Sequence, residues 1–492
     1  MGRLADPRAL HISATPWLRY AVTLAMLTPI AMAVIDRSPM PFEARIGGAF
    51  LWSLCLCPAW WYLRTPRVNR RPIPFLPMMG LLYGLYYALP AALGNYNLHY
   101  RIVLNPRFDY DDPIFVAMLG WLGLLAGYAI VRLLLPDPRL RAPILISDQL
   151  RRRYGVVLTI AGLAFEAFRR MGPVPLEIAG LLAFLGMLGW FGSGLLVVML
   201  VQGRLPLTLR VLTYAGILAF FILAIGSGSV AQAAFYGTVL TMSVWIGSGR
   251  LKLSWILAIF CGIALIVSLR GVTEQYRKLA WRGQDVALVG RTTLFLSLLQ
   301  RRVEESGVAE TVSMGYTSSA SRSANLDLFA DVIRRTPSEI PYWGGYTYLS
   351  LVGSFVPRFL WPDKPTKELG QAFGHRYSYV GANDAGTAIN LPILVEFYLN
   401  FGIYGVMVGM TLVGVIYYAL QRIVNNPGQD YFVSLAGIVL MIPLMNIESD
   451  FSLAFGGLAM NGVALALILR TLRHSPSPEN SVARFSHVDL RV

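Results

Sequence analysis

The sequence predicts an all-α polytopic integral membrane protein with about twelve transmembrane helices. Hydrophobic residues make up 55% of the 492 residues and charged residues only 14%, whereas an ordinary soluble domain carries roughly 25% charged residues. Apolar runs of about 20 residues, the length of a helix that crosses a bilayer, recur along the chain. The 3 Cys exclude a secreted disulfide scaffold, and the 24 Phe, 24 Tyr and 11 Trp exclude a disordered chain.

The apolar runs fall into two groups that a long polar segment separates. Nine runs form an N-terminal membrane bundle over residues 1–269, and three form a C-terminal group over residues 392–472. The large segment 270–391 lies between them, and the Ser- and Pro-rich tail 473–492 is expected to be disordered. The predicted spans lie at about 18–35, 46–63, 73–93, 113–135, 154–168, 175–201, 206–225, 230–249, 253–269, 392–420, 431–447 and 452–471.

The charges of the connectors predict the orientation in the membrane. If every run crosses, cations collect in alternate connectors, whereas the connector 94–112 carries Asp109, Asp111 and Asp112. Lys and Arg in short loops mark the cytoplasmic side. We therefore expect both termini in the cytoplasm and residues 270–391 on the outer face. The cations that decide this are Arg3, Arg8, Arg64, Arg67, Arg70, Arg71, Arg139, Arg141, Arg151, Arg152, Arg153, Arg204, Arg250 and Lys252.

The external segment 270–391 has room for a site outside the bilayer. Its stretch Ser306–Ser323 is polar and turn-rich, and Asn325–Arg335 is predicted to be a short helix. Residues 340–360 are aromatic and rich in Gly and Pro. We expect this stretch to be a re-entrant or interface-lying piece, because irregular backbone at membrane depth needs shelter by protein or water.

Cations are dense in the external segment, and they include candidates for binding an anionic group. The guanidinium fork of Arg pairs with phosphate oxygens in a bidentate way. Arg270 leaves a membrane span, and Arg322 precedes the predicted helix, so these two are the strongest candidates. Arg277 and Arg282 are further candidates for substrate contact. The alternative for each of them is a solvated surface of mixed charge.

A proline-rich run, Pro357–Pro365, carries a second group of candidates. Its prolines stiffen the backbone, and Trp361 is a ring typical of membrane interfaces. Arg358 and Lys364 would then be held at the level of lipid headgroups as diphosphate ligands. An ordinary proline-rich turn with snorkelling cations is the open alternative.

An acidic residue, Glu396, lies inside an apolar run. Acidic residues at membrane depth are costly and indicate a functional role by default. Glu396 is therefore a candidate general base, with Tyr398 and Asn400 as nearby substrate-binding candidates. The alternative is a helix-end carboxylate that pairs with an arginine. Glu166, near the fifth run, is interpreted as an interface residue.

Signatures of soluble enzymes are absent from the sequence. It has no Walker loop, no His-Glu-x-x-His and no dinucleotide fingerprint. The 5 His are scattered too widely to suggest a metal site, so no metal and no cofactor are expected.

The stretch from Arg322 to Gly405 resembles the bacterial O-antigen polymerase (Wzy-type) family, whose members join oligosaccharide repeat units. The resemblance covers under a fifth of the chain, and a GT-C-like architecture is the fold that it implies. The residues that carry it are Thr336-Pro337, Tyr342 to Tyr348, Pro357-Arg358, Trp361 to Pro365, Thr387, Glu396 to Gly402 and Gly405.

The resemblance implies a glycosyltransferase at the outer face of the bacterial inner membrane. Its substrates would be undecaprenyl-diphosphate-linked oligosaccharides, with a polysaccharide co-polymerase as a partner that controls chain length. Arg and Lys would stabilise the leaving diphosphate, and Glu396 or Asp327 would deprotonate the attacking hydroxyl. A base and direct displacement predict inversion at the anomeric carbon, without a metal ion.

Two other functions fit the same sequence features. An O-antigen ligase shares the many spans, the large external segment and the arginines. A transporter or flippase of polysaccharide or lipid-linked oligosaccharide is compatible with twelve spans and cytoplasmic termini, although the chain shows no inverted repeat.

Overall fold

In a computed structural model of the protein, the regular secondary structure of the described part of the chain is all helical. That part comprises residues 16–35, 41–66, 69–92, 109–135, 147–171, 175–226, 230–249, 288–322, 325–351, 361, 369–384, 387–427, 429–458 and 461–463, with single positions between 272 and 279. No strand occurs in these residues.

The amino-terminal half is a series of long helices, most of them apolar. Their sequences are rich in Leu, Ala, Val and aromatic residues, which bury well against other helices or face lipid. The helices are α1 (Pro16–Ile35), α2 (Phe42–Arg64), α3 (Phe75–Ala92, with a π turn over Gly84–Ala88), α4 (Asp111–Leu134), α5 (Asp148–Met171), α6 (Leu176–Val201), α7 (Leu207–Gly226) and α8 (Val230–Ser248).

The carboxy-terminal half alternates between polar helices and apolar ones. The predicted helix 325–335 is confirmed with the same bounds, as α10. The elements are α9 (Leu288–Arg322), α10 (Asn325–Arg335), a 3-10 turn (Tyr346–Tyr348), α11 (Leu369–Arg376), α12 (Ile393–Val424), α13 (Tyr431–Met441), a second 3-10 turn (Ile442–Met445) and α14 (Phe451–Phe455).

Within the described residues, 7 helices are long and apolar enough to cross a membrane. The chain therefore has the character of a multi-pass membrane protein. These spans are Trp17–Ile35, Phe42–Arg64, Phe75–Ala92, Asp111–Leu134, Leu182–Val201, Leu207–Ala224 and Ile393–Val424.

The remaining predicted spans divide into three groups. The runs 154–168 and 230–249 are helical, as α5 and α8, but do not count among the 7. Tyr431–Met445 is a shorter apolar helical stretch. The run 253–269 and half of 452–471 lie outside the described residues, so the count of twelve spans stays a prediction.

The core that positions the site lies where α12 packs against α4. A Cβ added at Gly127 would lie 2.0 Å from the carbonyl oxygen of Thr411, and one at Gly414 would lie 2.0 Å from the carbonyl oxygen of Leu124. The two backbones are therefore in direct contact. Any larger residue at these two glycines would push α12 away from the bundle.

The described part of the 270–391 segment is more helical than its composition suggests. The prediction of a turn-rich stretch over Ser306–Ser323 is wrong, because α9 continues through it to Arg322 and leaves helical geometry only at Gly307 (φ 77, ψ 164). Relative to alanine, a serine destabilises a helix by less than about 1 kcal/mol per residue, so a serine-rich stretch can still be helical. The hydroxyl of Thr311 also donates to the Gly307 carbonyl at 2.8 Å, within the helix.

Candidate functional site

Helix α12 is interrupted inside the Glu396–Gly402 motif. Phe401 (φ −143, ψ 17) and Gly402 (φ 64, ψ −148) both leave helical geometry. A positive φ of this kind favours glycine. A Cβ at Gly402 would also lie 2.7 Å from the hydroxyl oxygen of Tyr342. The break therefore depends on glycine, and it exposes backbone carbonyls that a helix would otherwise use.

Backbone groups from the 340s segment occupy this break. The N–H of Trp343 donates to the Leu399 carbonyl at 2.9 Å, and the N–H of Gly344 donates to the Asn400 carbonyl at 3.3 Å. We call residues 343–347 the clamp, because they bind the interrupted helix from one side. The backbone polar groups of the break are thereby paired although they lie within an apolar helix.

The side chain of Asn400 holds the clamp in place. Its Oδ1 accepts from the Gly345 N–H at 2.8 Å, and its Nδ2 donates to Thr347 Oγ1 at 2.8 Å and to the Glu396 carbonyl at 2.8 Å. Asn400 is 1% exposed. The buried amide of Asn400 therefore links the clamp both to its own position in α12 and to Glu396, one turn earlier.

Glu396 lies beneath the clamp and is fully buried. Its Oε2 accepts from the backbone N–H of Phe451, the first residue of α14, at 2.6 Å. Its Oε1 has no hydrogen-bond partner in the described residues. Thr347 and Asp450 are its polar neighbours. No Lys or Arg of the described residues forms an ion pair with it, so the alternative of an arginine-paired carboxylate finds no support in this part of the chain.

Aromatic rings close the space around the clamp. The Tyr348 ring lies within 6.3 Å of the rings of Phe397, Phe401 and Phe451, measured between centroids. Ser350 Oγ donates to Ser452 Oγ at 2.6 Å. The clamp and the residues directly after it thus join α12 to α14 and cover Glu396, which is fully buried.

Tyr398 lies on a different face of α12 from Glu396, and that face packs against α10, which carries Asp327. The Tyr398 ring packs edge-on against Phe329 of α10, with centroids 5.6 Å apart, and its hydroxyl donates to the Thr336 carbonyl at 3.4 Å. Asp327, also on α10, accepts from the Tyr110 hydroxyl at 2.9 Å. Burial raises the pKa of Asp327 to about 6, against the opposing effect of that hydrogen bond.

The two candidate bases therefore have different surroundings. Glu396 is enclosed and bonded to a backbone amide, whereas Asp327 is half-buried and bonded to a hydroxyl. They share no hydrogen-bond partner. An approaching sugar hydroxyl would reach Asp327 more readily than Glu396, because general-base catalysis needs hydrogen-bond contact with the group to be deprotonated.

The end of α10 is fixed by a cluster that the sequence analysis missed. Asp331 is buried and pairs with Arg334 at 2.9 Å and with Arg335 at 3.4 Å, and it accepts from the Tyr379 hydroxyl at 2.7 Å. Arg335 also donates to the Tyr377 carbonyl at 2.8 Å. The spacings of three and four residues on one helix are the signal that could have revealed these ion pairs.

Most of the predicted phosphate ligands cannot be placed relative to the clamp. The described residues do not include Arg270, Arg277, Arg282, Arg358 and Lys364. The backbone of Arg322 ends α9, and Trp361 is exposed. In the described part of the chain, no three His, Cys, Asp or Glu side chains lie together as metal ligands. The predicted absence of a metal stays a prediction.

Comparison with known proteins gives one match. A family model described as a domain of unknown function (DUF8712) matches residues 211–436. The matched range begins in α7 and ends in α13, so it includes the clamp, α10 and the break in α12. No curated protein and no solved structure matches the chain.

Proposed function

We propose that the protein is a polysaccharide polymerase of the bacterial inner membrane. It joins undecaprenyl-diphosphate-linked oligosaccharide repeat units at the outer face, as part of O-antigen, capsule or exopolysaccharide synthesis. The proposal rests on the resemblance to Wzy-type polymerases and on a helical, multi-pass chain with a large segment between its membrane helices.

One structural observation supports the proposal in addition to the sequence resemblance. Two of the runs that carry the resemblance, Tyr342–Tyr348 and Glu396–Gly402, are bonded to each other as the clamp and the break in α12. Gly345 and Asn400 lie 55 positions apart in the chain. Runs that serve unrelated purposes have no reason to fold into one unit, so their contact supports a common role.

The proposed reaction transfers a glycosyl group from one lipid diphosphate to another repeat unit. The hydroxyl of the acceptor's terminal sugar attacks the anomeric carbon of the donor's first sugar. A new C–O bond forms as the bond from that carbon to the diphosphate oxygen breaks, and undecaprenyl diphosphate leaves with the electron pair. A carboxylate takes the hydroxyl proton. Direct displacement of this kind inverts the anomeric centre.

Asp327 suits the role of base better than Glu396. Its pKa of about 6 leaves it ionised at neutral pH and able to accept a proton. Glu396 would need the clamp to move before a sugar could contact it, since it has no exposed surface. In this proposal Glu396 and Asn400 hold the clamp, Tyr398 and Trp361 contact sugar, and Arg270, Arg322, Arg358 and Lys364 stabilise the diphosphate.

A reconstituted reaction tests the proposal. The purified full chain, in liposomes, would receive a synthetic undecaprenyl-diphosphate oligosaccharide, and products would be separated by size. We expect a ladder of multiples of the repeat unit, and we expect Asp327→Asn and Arg358→Ala to reduce the ladder at least 100-fold. Arg301→Ala is a matched control, because Arg301 is exposed and pairs only with the exposed Glu305 in the described residues.

Other products would identify a different function. Transfer of a finished chain to lipid A core, without extension of lipid-linked repeats, would indicate a ligase. Movement of the substrate across the liposome membrane without a new glycosidic bond would indicate a transporter. Cysteine labelling that places residues 270–391 in the cell interior would refute the outer-face reaction altogether.

A further inference from the structure

A buried cluster of charges lies at the end of α5. Glu166 accepts from Arg169 at 2.8 Å and from Arg170 through both Nε, at 3.1 Å, and Nη2. Arg170 Nη2 also donates to Gln232 Oε1 of α8 at 2.7 Å. Glu166 is 7% exposed and Arg170 is 8% exposed. The cluster thus joins α5 to α8 in a largely enclosed place.

Close packing of α5 on α6 encloses this cluster. A Cβ added at Gly162 would lie 2.3 Å from the Cα of Gly189, so the two helices touch through their backbones. One turn further along, a Cβ at Gly186 would lie 2.9 Å from Glu166 Oε2. Gly186 therefore leaves the space that the carboxylate of Glu166 fills.

Within the described residues, the charges of the cluster do not balance. Two arginines there share one carboxylate, which leaves one positive charge in excess among them. Gln232 contributes an oxygen but no charge. Buried charges without a counter-charge are strongly unfavourable, more so beside apolar helices than in water. The carboxyl end of α5 offers a partial negative charge to cations, but that fraction of a charge does not neutralise a full one.

One nitrogen marks where a counter-charge would bind. Arg170 Nη1 is buried and has no hydrogen-bond partner in the described residues. No carbonyl at the end of α5 accepts from it. Tyr276, a buried side chain, is close enough to Arg170 to interact with its charge. An arginine nitrogen that is enclosed, charged and unpartnered indicates a ligand with oxygen acceptors.

We propose that Arg169 and Arg170 form a binding site for a phosphate group on a lipid headgroup or on a small anion. Arginine pairs with phosphate oxygens through its planar fork, and long arginine side chains beside an apolar helix such as α6 can reach toward the headgroup level. Arg169 is 28% exposed at its side chain and can meet the ligand from the surface. Arg170, which is buried, contacts the same phosphate group from the protein interior. The site does not depend on the proposed glycosyl transfer.

Binding to the purified full chain tests this site. The protein, in an uncharged maltoside detergent, would be titrated with dioleoyl phosphatidic acid and followed by microscale thermophoresis. Dioleoyl phosphatidylcholine is the lipid control, and inorganic pyrophosphate is the lipid-free arm. We expect saturable binding of phosphatidic acid at least 10-fold tighter than that of phosphatidylcholine. Tighter binding of pyrophosphate than of phosphatidic acid would assign the site to a free anion.

Two substitutions with opposite expected effects separate binding from folding. Arg170→Gln removes the unpartnered donor and should weaken binding at least 10-fold. Glu166→Gln removes the competing carboxylate and should tighten binding about 3-fold or more. Arg301→Gln, in an exposed pair on α9, is the matched control and should bind as the unaltered protein does.

A purely structural role for the cluster would not produce opposite signs. Gel filtration of each variant establishes that it is folded, and Arg169→Gln provides a half-exposed alternative if Arg170→Gln fails to fold. Equal binding by Arg170→Gln and the unaltered protein would overturn the proposal. So would the absence of saturable binding, or a loss of affinity in Glu166→Gln as large as that in Arg170→Gln.

Discussion

Two buried glutamates in this protein have opposite surroundings. Glu396, in α12, has a backbone N–H and the clamp around it, and no cation of the described residues pairs with it. Glu166, at the end of α5, has two arginines. Both are less than a tenth exposed. Among the described residues, Glu396 thus has no cationic partner, whereas the single carboxylate of Glu166 has two.

The difference shows what each carboxylate does for its neighbours. At Glu396 the carboxyl oxygen serves as an acceptor for the amide that begins α14, so its geometry matters more than its charge. At Glu166 the carboxylate holds two guanidinium groups together that would otherwise repel each other. A neutral acceptor of the same shape could therefore take the place of Glu396, but it could not take the place of Glu166.

The largest expected effect comes from making the same substitution at both sites. Glu166→Gln leaves the buried Arg170 and the partly exposed Arg169 without the carboxylate that pairs with both, and should destabilise the protein by about 3–5 kcal/mol. Glu396→Gln keeps an oxygen for the Phe451 amide and should cost less, about 1–2 kcal/mol, for the amide group that it buries without a partner. Thermal unfolding of the purified protein in neutral detergent measures both. Equal losses of stability in the two variants would contradict the view that charge distinguishes the two sites.

Asn400→Ala tests whether hydrogen bonds, rather than charge, hold the region around Glu396. The substitution removes three hydrogen bonds, to Gly345, Thr347 and the Glu396 carbonyl. At about 1 kcal/mol for each bond, we expect a loss of about 2–3 kcal/mol. Faster hydrogen exchange at residues 343–347 would locate the effect. Unchanged exchange there would show that the aromatic contacts alone hold the clamp.

Gly402→Ala examines the backbone break itself. The positive φ at this position and the contact with the Tyr342 hydroxyl should together lower stability by about 1–2 kcal/mol. Adding Tyr342→Phe removes the hydroxyl that the new methyl meets. The double variant should therefore recover part of the loss, whereas Tyr342→Phe alone should be nearly neutral. No recovery would indicate that backbone strain accounts for the whole effect.

Asp327 adds a third carboxyl to the comparison, with a hydroxyl as its partner. Its folded pKa of about 6 lies above its ordinary value of 3.8. The folded state therefore binds this proton more tightly, and stability falls as pH rises from about 4 to about 6. If Asp327 is the base, ladder formation rises as pH passes through about 6, because the base must be ionised.

Tyr110→Phe should shift that activity profile to higher pH. The Tyr110 hydrogen bond favours the ionised form of Asp327, so its removal raises the pKa. Rates of ladder formation between pH 5 and pH 8 measure the shift of the profile, which we expect toward higher pH. Tyr214→Phe, an exposed tyrosine on α7, is the matched control. An identical profile in Tyr110→Phe and the unaltered protein would remove Asp327 as the base.

Much of the helical layout could be predicted from the sequence, because bilayer length and hydropathy leave few choices. Predicted runs at 18–35, 46–63 and 113–135 correspond to α1, α2 and α4 within a few residues. The polar half of α9 could not be predicted, since its Ser and Gly content is equally compatible with turns. Composition alone does not determine whether the backbone of this segment forms helical hydrogen bonds.

The sequence by itself determined that this chain is helical, that it has several spans, and that Glu396 is an acidic residue in an apolar run. Those properties follow from local composition and from the thickness of a bilayer. Only the tertiary structure decided that Asn400 holds the clamp, that Glu396 has no arginine among the described residues, and that Glu166 has two. These facts depend on which distant groups meet after folding, and hydropathy carries no information about such pairs.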